Sequence, residues 1–149
     1  MSSLRLLALL TALSATAHCY GSLKVVNNCD FYITAQSVDG IRNSGSPYTV
    51  TAGGGASQTL EHSTDGKKIR LYKDDDSSGW LVSETALERT EFVKYDIYKD
   101  NGSPVGDSFK VILSDGSCHT IQGGQGNFDP VNLDLYTCGV DSSLTVILC

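Results

Sequence analysis

Apolar and polar positions alternate along most of the chain with a period of two. In LKVVNNCDFYITAQSV the apolar set falls at Leu23 and Val25 and then at Phe31, Ile33 and Ala35, with Asn27-Asn28-Cys29 breaking the alternation. Successive side chains of a strand point to opposite faces, so this stretch reads as one strand with an irregularity in its middle. Seven further runs read as strands: PYTVTA, ASQTLEH, KKIRLYK, EFVKYDIYK, SFKVILS, CHTIQ and LTVILC. Turn-forming residues separate them at Asp39-Gly40, Gly53-Gly54-Gly55, Asp65-Gly66, Asp100-Asn101-Gly102 and Asp115-Gly116. Eight short strands with such turns predict an all-β antiparallel sandwich in which each strand buries one face. The segment SSGWLVSETALERTE is the exception, with one helical turn expected over residues 86–89.

The start of the chain follows a different rule. Arg5 precedes an apolar run over residues 6–13 that only Thr11 interrupts, and Ala15 and Ala17 then stand in A-x-A spacing. The run is far shorter than the ~20 residues a membrane helix needs. It predicts a secretory signal peptide over residues 1–17 and a single domain over residues 18–149, opening at His18. Every later apolar run meets a charge or a turn within about ten residues, so no membrane span is expected. The mature chain is expected to be a soluble monomer.

Charge narrows the partners. The chain holds 11 Lys and Arg against 17 Asp and Glu, a net charge of −6; without Arg5 the mature balance is 10 − 17 = −7. Such a surface repels phosphate backbones and anionic lipid, and its densest basic stretch is only Lys67-Lys68-Ile69-Arg70. Nucleic acid is excluded as a partner. Cysteine usage agrees with export: Cys19, Cys29, Cys118, Cys138 and Cys149 follow the signal, with no C-x-x-C pair for zinc or redox chemistry. Two bridges among these five cysteines allow five choices of leftover residue times three pairings, fifteen connectivities, and spacing does not choose among them. Cys19, beside the new terminus, is the natural leftover.

Three motifs carry candidate chemistry. A mature N-terminal His18 offers its α-amino group and a ring nitrogen, and His62 or His119 would complete a nitrogen set that suits copper. This makes a copper-dependent polysaccharide oxidase the alternative enzyme reading; the small domain and the oxidisable Cys19 beside the ligand argue against it. KDDDSSGW puts Asp74, Asp76, Ser78 and Gly79 at calcium-loop positions, but the twelfth position is Thr85 where the loop needs Glu. An acidic loop tip is the better account. Trp80, the one tryptophan, suits core packing, or a sugar ring if exposed. Asn101-Gly102-Ser103 is an N-glycosylation sequon in a turn, and Asn-Gly also suits a tight hairpin.

SLKVVNNCDFYITAQSVDG, YTVTAGGGASQTL, EFVKYDIYKDNGSPVGDSFKVIL and SLTVILC, in that order, resemble the small secreted fungal thaumatin-like proteins, including the Blastomyces yeast-phase-specific protein family. The resemblance covers most of the mature chain. It implies a disulfide-stabilised thaumatin-like β-sandwich in which Cys29 bridges Cys149, leaving Cys118 to bridge Cys138. It also implies a counterpart of the cleft of larger thaumatin-like proteins, where one Arg, one Glu and several Asp are associated with β-1,3-glucan binding and, in some members, weak glucanase activity. Glu91 and Asp96 match two of those acids and Arg70 the arginine; the third acid falls on Asp100, one place early, or on Asn101 in register with the turn, and the last Asp has no counterpart. Glu91 and Asp96 are five apart, which on one regular strand puts them on opposite faces. Hydrolysis needs two carboxyls within about 5 to 9.5 Å across the scissile bond. Sugar binding without a cofactor is therefore expected rather than catalysis, with β-glucan or a related wall polysaccharide as ligand at the fungal wall or a host surface. The remaining alternative is a secreted effector or adhesin that recognises a host protein.

Overall fold

The computed structural model of the chain describes residues 21–39, 45–59, 67–73, 79–88, 92–100, 102–123 and 136–149. Eleven strands and no helix run through them: β1 (Ser22–Asn27), β2 (Ile33–Asp39), β3 (Tyr48–Val50), β4 (Gly55–Thr59), β5 (Lys67–Tyr72), β6 (Trp80–Glu88), β7 (Phe92–Asp100), β8 (Phe109–Leu113), β9 (Ile121–Gln122), β10 (Tyr136–Gly139) and β11 (Leu144–Leu148). They form a five-stranded sheet in the order β4-β1-β11-β8-β9 and a six-stranded sheet in the order β10-β7-β6-β5-β2-β3. Leu23, Val25 and Val146 from the first sheet share one buried cluster with Ile33, Leu71 and Ile97 from the second. That shared core is what the period-two pattern encodes.

Three expectations change. LKVVNNCDFYITAQSV is two strands, β1 and β2, in different sheets. Asn27-Asn28-Cys29 is the corner between them, held by the wholly buried Asn27. Its Nδ2 donates to the carbonyls of Phe31 at 2.8 Å, Val50 at 3.0 Å and Thr51 at 3.3 Å, while its Oδ1 accepts from Cys29 N at 3.1 Å. The helical turn expected over residues 86–89 is overturned as far as Glu88, because WLVSETALE is β6, paired with β7 from Trp80↔Asp100 to Glu88↔Phe92 and with β5 on its other side. The ladder to β7, which continues through Ala86, Leu87 and Glu88 after the β5 ladder ends at Thr85, overrides their helix propensity. Finally, the sheets are not wholly antiparallel: β1 runs parallel to β11, from Leu23↔Leu144 to Asn27↔Leu148.

The disulfides account for that parallel pair. Cys29 follows β1, Cys149 follows β11, and the two are bridged with Cα atoms 5.1 Å apart. A bond between the downstream ends of neighbouring strands requires the strands to point the same way. Cys118 bridges Cys138, tying the loop after β8 to β10. Both pairs are those implied by the resemblance; Cys19 lies outside the described residues. Tyr95, fully buried, fastens the same loop from beneath by donating its hydroxyl to the His119 carbonyl at 2.6 Å. No described helix is long and apolar enough to cross a membrane.

Candidate functional site

The six-stranded sheet decides which of the predicted residues can meet. Ile69 and Leu71 on β5, Leu81 on β6, and Tyr95 and Ile97 on β7 are buried on its inner side. Neighbouring positions along a strand take the opposite side. Arg70, between Ile69 and Leu71, therefore lies on the outer face, as do Asp96, between Tyr95 and Ile97, and Asp100, four residues further along β7.

Backbone register fixes their arrangement. One row across the outer face runs Lys68, Glu84, Asp96; the next runs Arg70, Val82, Tyr98; a third joins Trp80 to Asp100. With strands ~4.8 Å apart and ~3.3 Å per residue along each, Arg70 stands about 12 Å from both Asp96 and Asp100 in backbone position. Asp96 and Asp100 are about 13 Å apart, too far to flank one scissile bond as a carboxyl pair. Arg70 and Asp100 are half-buried, whereas Asp96 is only 3% exposed, and its Oδ1 accepts from Ile97 N at 2.7 Å. Asp96 thus belongs to the floor of the face, and Arg70 and Asp100 to its accessible surface. The Lys68 ammonium lies 6.0 Å from the centroid of the Tyr98 ring, within cation–π range.

Glu84 was missed by sequence reasoning. It is the backbone partner of Asp96, but only recognition of β6 as a strand could have found it. Glu91, the sequon residue Asn101 and the loop acids Asp74 and Asp76 lie outside the described residues, as do His18 and His62. His119 is exposed and stacks on Tyr136, with ring centroids 4.0 Å apart and planes 14° from parallel. Asp115, Cys118 and Cys138 bring ligand-type atoms within 4.8 Å of one another, but the two sulfurs are joined in a disulfide and offer no thiolate to a metal. On the five-stranded sheet, an open concavity of about 440 Å³ is lined by Asp107, Phe109, Lys110, Gln122, Ile147 and Cys149, and it contains none of the predicted binding residues.

Two sheets closed by these two disulfides define a thaumatin-like β-sandwich. Over residues 10–149 the chain matches the Blastomyces yeast-phase-specific protein family, and it belongs to that family. Its fold is similar to that of the protein elicitor MoHrip2 from Magnaporthe oryzae, at 20% identity and a TM-score of 0.71, with 87% of this chain and 98% of that one covered. It is also similar to the thaumatin-like xylanase inhibitor TLXI, at 15% identity and a TM-score of 0.60, covering 85% of this chain and 98% of that one. No curated protein sequence matches it.

Proposed function

We propose that the chain is an exported thaumatin-like binding protein, released from a signal peptide over residues 1–17, whose six-stranded outer face recognises β-glucan or a related wall polysaccharide. One observation supports this reading above the others: strand register gathers Arg70, Asp96 and Asp100 on a single face. Carboxylates accept and a guanidinium donates hydrogen bonds, so the set complements sugar hydroxyls without requiring the close carboxyl spacing of a hydrolase. Two disulfides suit a domain that works outside the cell. The test is retention of the purified protein on insoluble β-1,3-glucan. Asp100→Asn and Arg70→Gln are expected to reduce retention severalfold with the thermal midpoint little changed. No retention of the parent protein, or equal retention of both variants, refutes the reading.

A second reading has one specific support, the shared fold with a xylanase inhibitor. In it the partner is a carbohydrate-active protein instead of the polysaccharide. Inhibition of xylanase by the purified protein, in the absence of any glucan retention, would favour it.

A further inference from the structure

The Cys118–Cys138 bridge lies against a carboxylate. In the turn that follows β8, a carboxylate oxygen of Asp115 forms one group with Cys118 Sγ and Cys138 Sγ, all within 4.8 Å of one another. The turn itself holds the acid there: Asp115 Oδ1 accepts from Ser117 N at 2.9 Å and from Ser117 Oγ at 2.7 Å, and the Asp115 carbonyl accepts from Cys118 N at 3.1 Å. The backbone N–H of Ser117, and then its hydroxyl, hold the Asp115 carboxyl below its ordinary 3.8, so it is charged wherever thiols react. At the second sulfur, Ser142 is 3% exposed and its Oγ lies 3.1 Å from Cys138 Sγ. A bridged sulfur carries no proton, so the hydroxyl donates. Ser114, Asp115, Asp141 and Ser142 line an open concavity of about 330 Å³ that adjoins the bridge through Asp115 and Ser142, and its second acid, Asp141, is exposed. The two sulfurs differ in access, since Cys118 is half-buried and Cys138 buried.

We infer that Asp115 is an electrostatic guard on this bridge, which slows exchange with anionic thiols and leaves Cys118 as a modification site for thiols whose attacking form has no net charge. A thiolate that attacks Cys118 Sγ forms a new S–S bond there as the Cys118–Cys138 bond breaks. The electron pair leaves on Cys138 Sγ, which the Ser142 hydroxyl steadies and water then protonates. One disulfide is traded for another, so the step needs no oxidant or reductant. Throughout it, negative charge is spread over the incoming, central and leaving sulfurs, a few Å from the Asp115 carboxylate, and any further negative charge on the attacking thiol adds to the repulsion. Exchange frees the loop from β10 at one point only: the hydrogen bond from Tyr95 to the His119 carbonyl and the stack of His119 on Tyr136 still tie it down. The inference does not depend on what the six-stranded face binds.

The test is the rate at which cysteamine, mercaptoethanol and mercaptoethanesulfonate open the bridge in the full protein at low salt and equal thiolate concentration. Their attacking forms carry no net charge, one negative charge and two. Alkylation and peptide mapping separate this bridge from Cys29–Cys149, which serves as the internal reference. Each thiol is compared with itself across variants, which removes differences in intrinsic nucleophilicity. Asp115→Asn keeps an oxygen for the Ser117 N–H, and it is expected to speed exchange by mercaptoethanesulfonate about tenfold and by cysteamine less than about twofold, with the reference bridge unchanged. Raising the salt to about 0.5 M is expected to shrink that contrast severalfold, since the charges are exposed to solvent. Ser117→Ala loosens the turn but keeps the carboxylate, and is expected to leave the ordering of the three thiols as in the parent. If Asp115→Asn accelerates all three thiols equally, the residue only braces the turn and the guard is refuted. An unchanged preference for cysteamine in Asp115→Asn refutes it as well.

Discussion

Asn27 joins the two sheets at the point where the chain leaves one for the other. Its amide protons serve three carbonyls, those of Phe31, Val50 and Thr51, and its oxygen receives the Cys29 N–H, with Asn27 itself wholly buried. Asn27→Ala takes the amide from the buried Val50 carbonyl and the amide oxygen from the buried Cys29 N–H, and each buried group that loses its partner costs about 1–3 kcal/mol. A total loss of about 3 kcal/mol is expected, measured as a lower denaturant midpoint at unchanged slope. Tyr95 makes a second single-residue case. Burial, reinforced by neighbouring Tyr136, pushes its hydroxyl up to about 12 from the ordinary 10.0. The unfolded chain then ionises this tyrosine near pH 10 while the folded chain keeps the proton until about pH 12. Its contribution to stability is therefore complete below pH 10 and lost between pH 10 and 12. Tyr95→Phe is expected to flatten that alkaline slope in pH-dependent unfolding. A smaller slope should remain from Tyr48, which burial also raises.

At the scale of strands, the two disulfides differ chiefly in the loop each closes. The sequence separations are 120 for Cys29–Cys149 and 20 for Cys118–Cys138. Chain entropy assigns about 5 kcal/mol to the longer closure and about 3 kcal/mol to the shorter. Paired serine substitutions are expected to lower unfolding free energy in that order, and the reverse order would show that local strand docking outweighs loop closure. The same elements show what the sequence makes legible. Inward positions at Leu144, Val146 and Leu148 alternate cleanly, and β11 can be read directly from LTVILC. The corner after β1 stays hidden because the apolar set resumes in the same odd-numbered phase at Phe31 and Ile33, so the break at Asn27-Asn28-Cys29 reads as an irregularity within one strand and not as a change of sheet. β6 is obscured by helix-forming residues and set only by ladders to β5 and β7, contacts distant in sequence. β10 is a four-residue edge strand, YTCG, too short to display a period. The layout of the candidate face was lost with β6: Arg70 and Asp96 can be named from a family likeness, but the rows Lys68-Glu84-Asp96 and Arg70-Val82-Tyr98 emerge only from register.

For the whole molecule, net charge and the proposed ligand make opposing demands that salt can separate. The chain carries −6, which attracts cationic partners and repels anionic ones over a distance that shrinks as ionic strength rises. A neutral glycan feels none of that long-range field, and short-range hydrogen bonds to Arg70 and Asp100 are barely screened. Affinity for β-1,3-gluco-oligosaccharides is therefore expected to vary by less than about twofold between 0.05 and 0.5 M salt. A basic protein recognised by the same face would behave differently, with association slowing steeply across that range because its encounter is steered by charge. The salt series consequently distinguishes the two classes of ligand before either complex is solved. A weak salt dependence for glucan, with Asp100→Asn reducing affinity equally at both ends of the range, would place that carboxylate in a short-range hydrogen bond instead of in the molecule's general field.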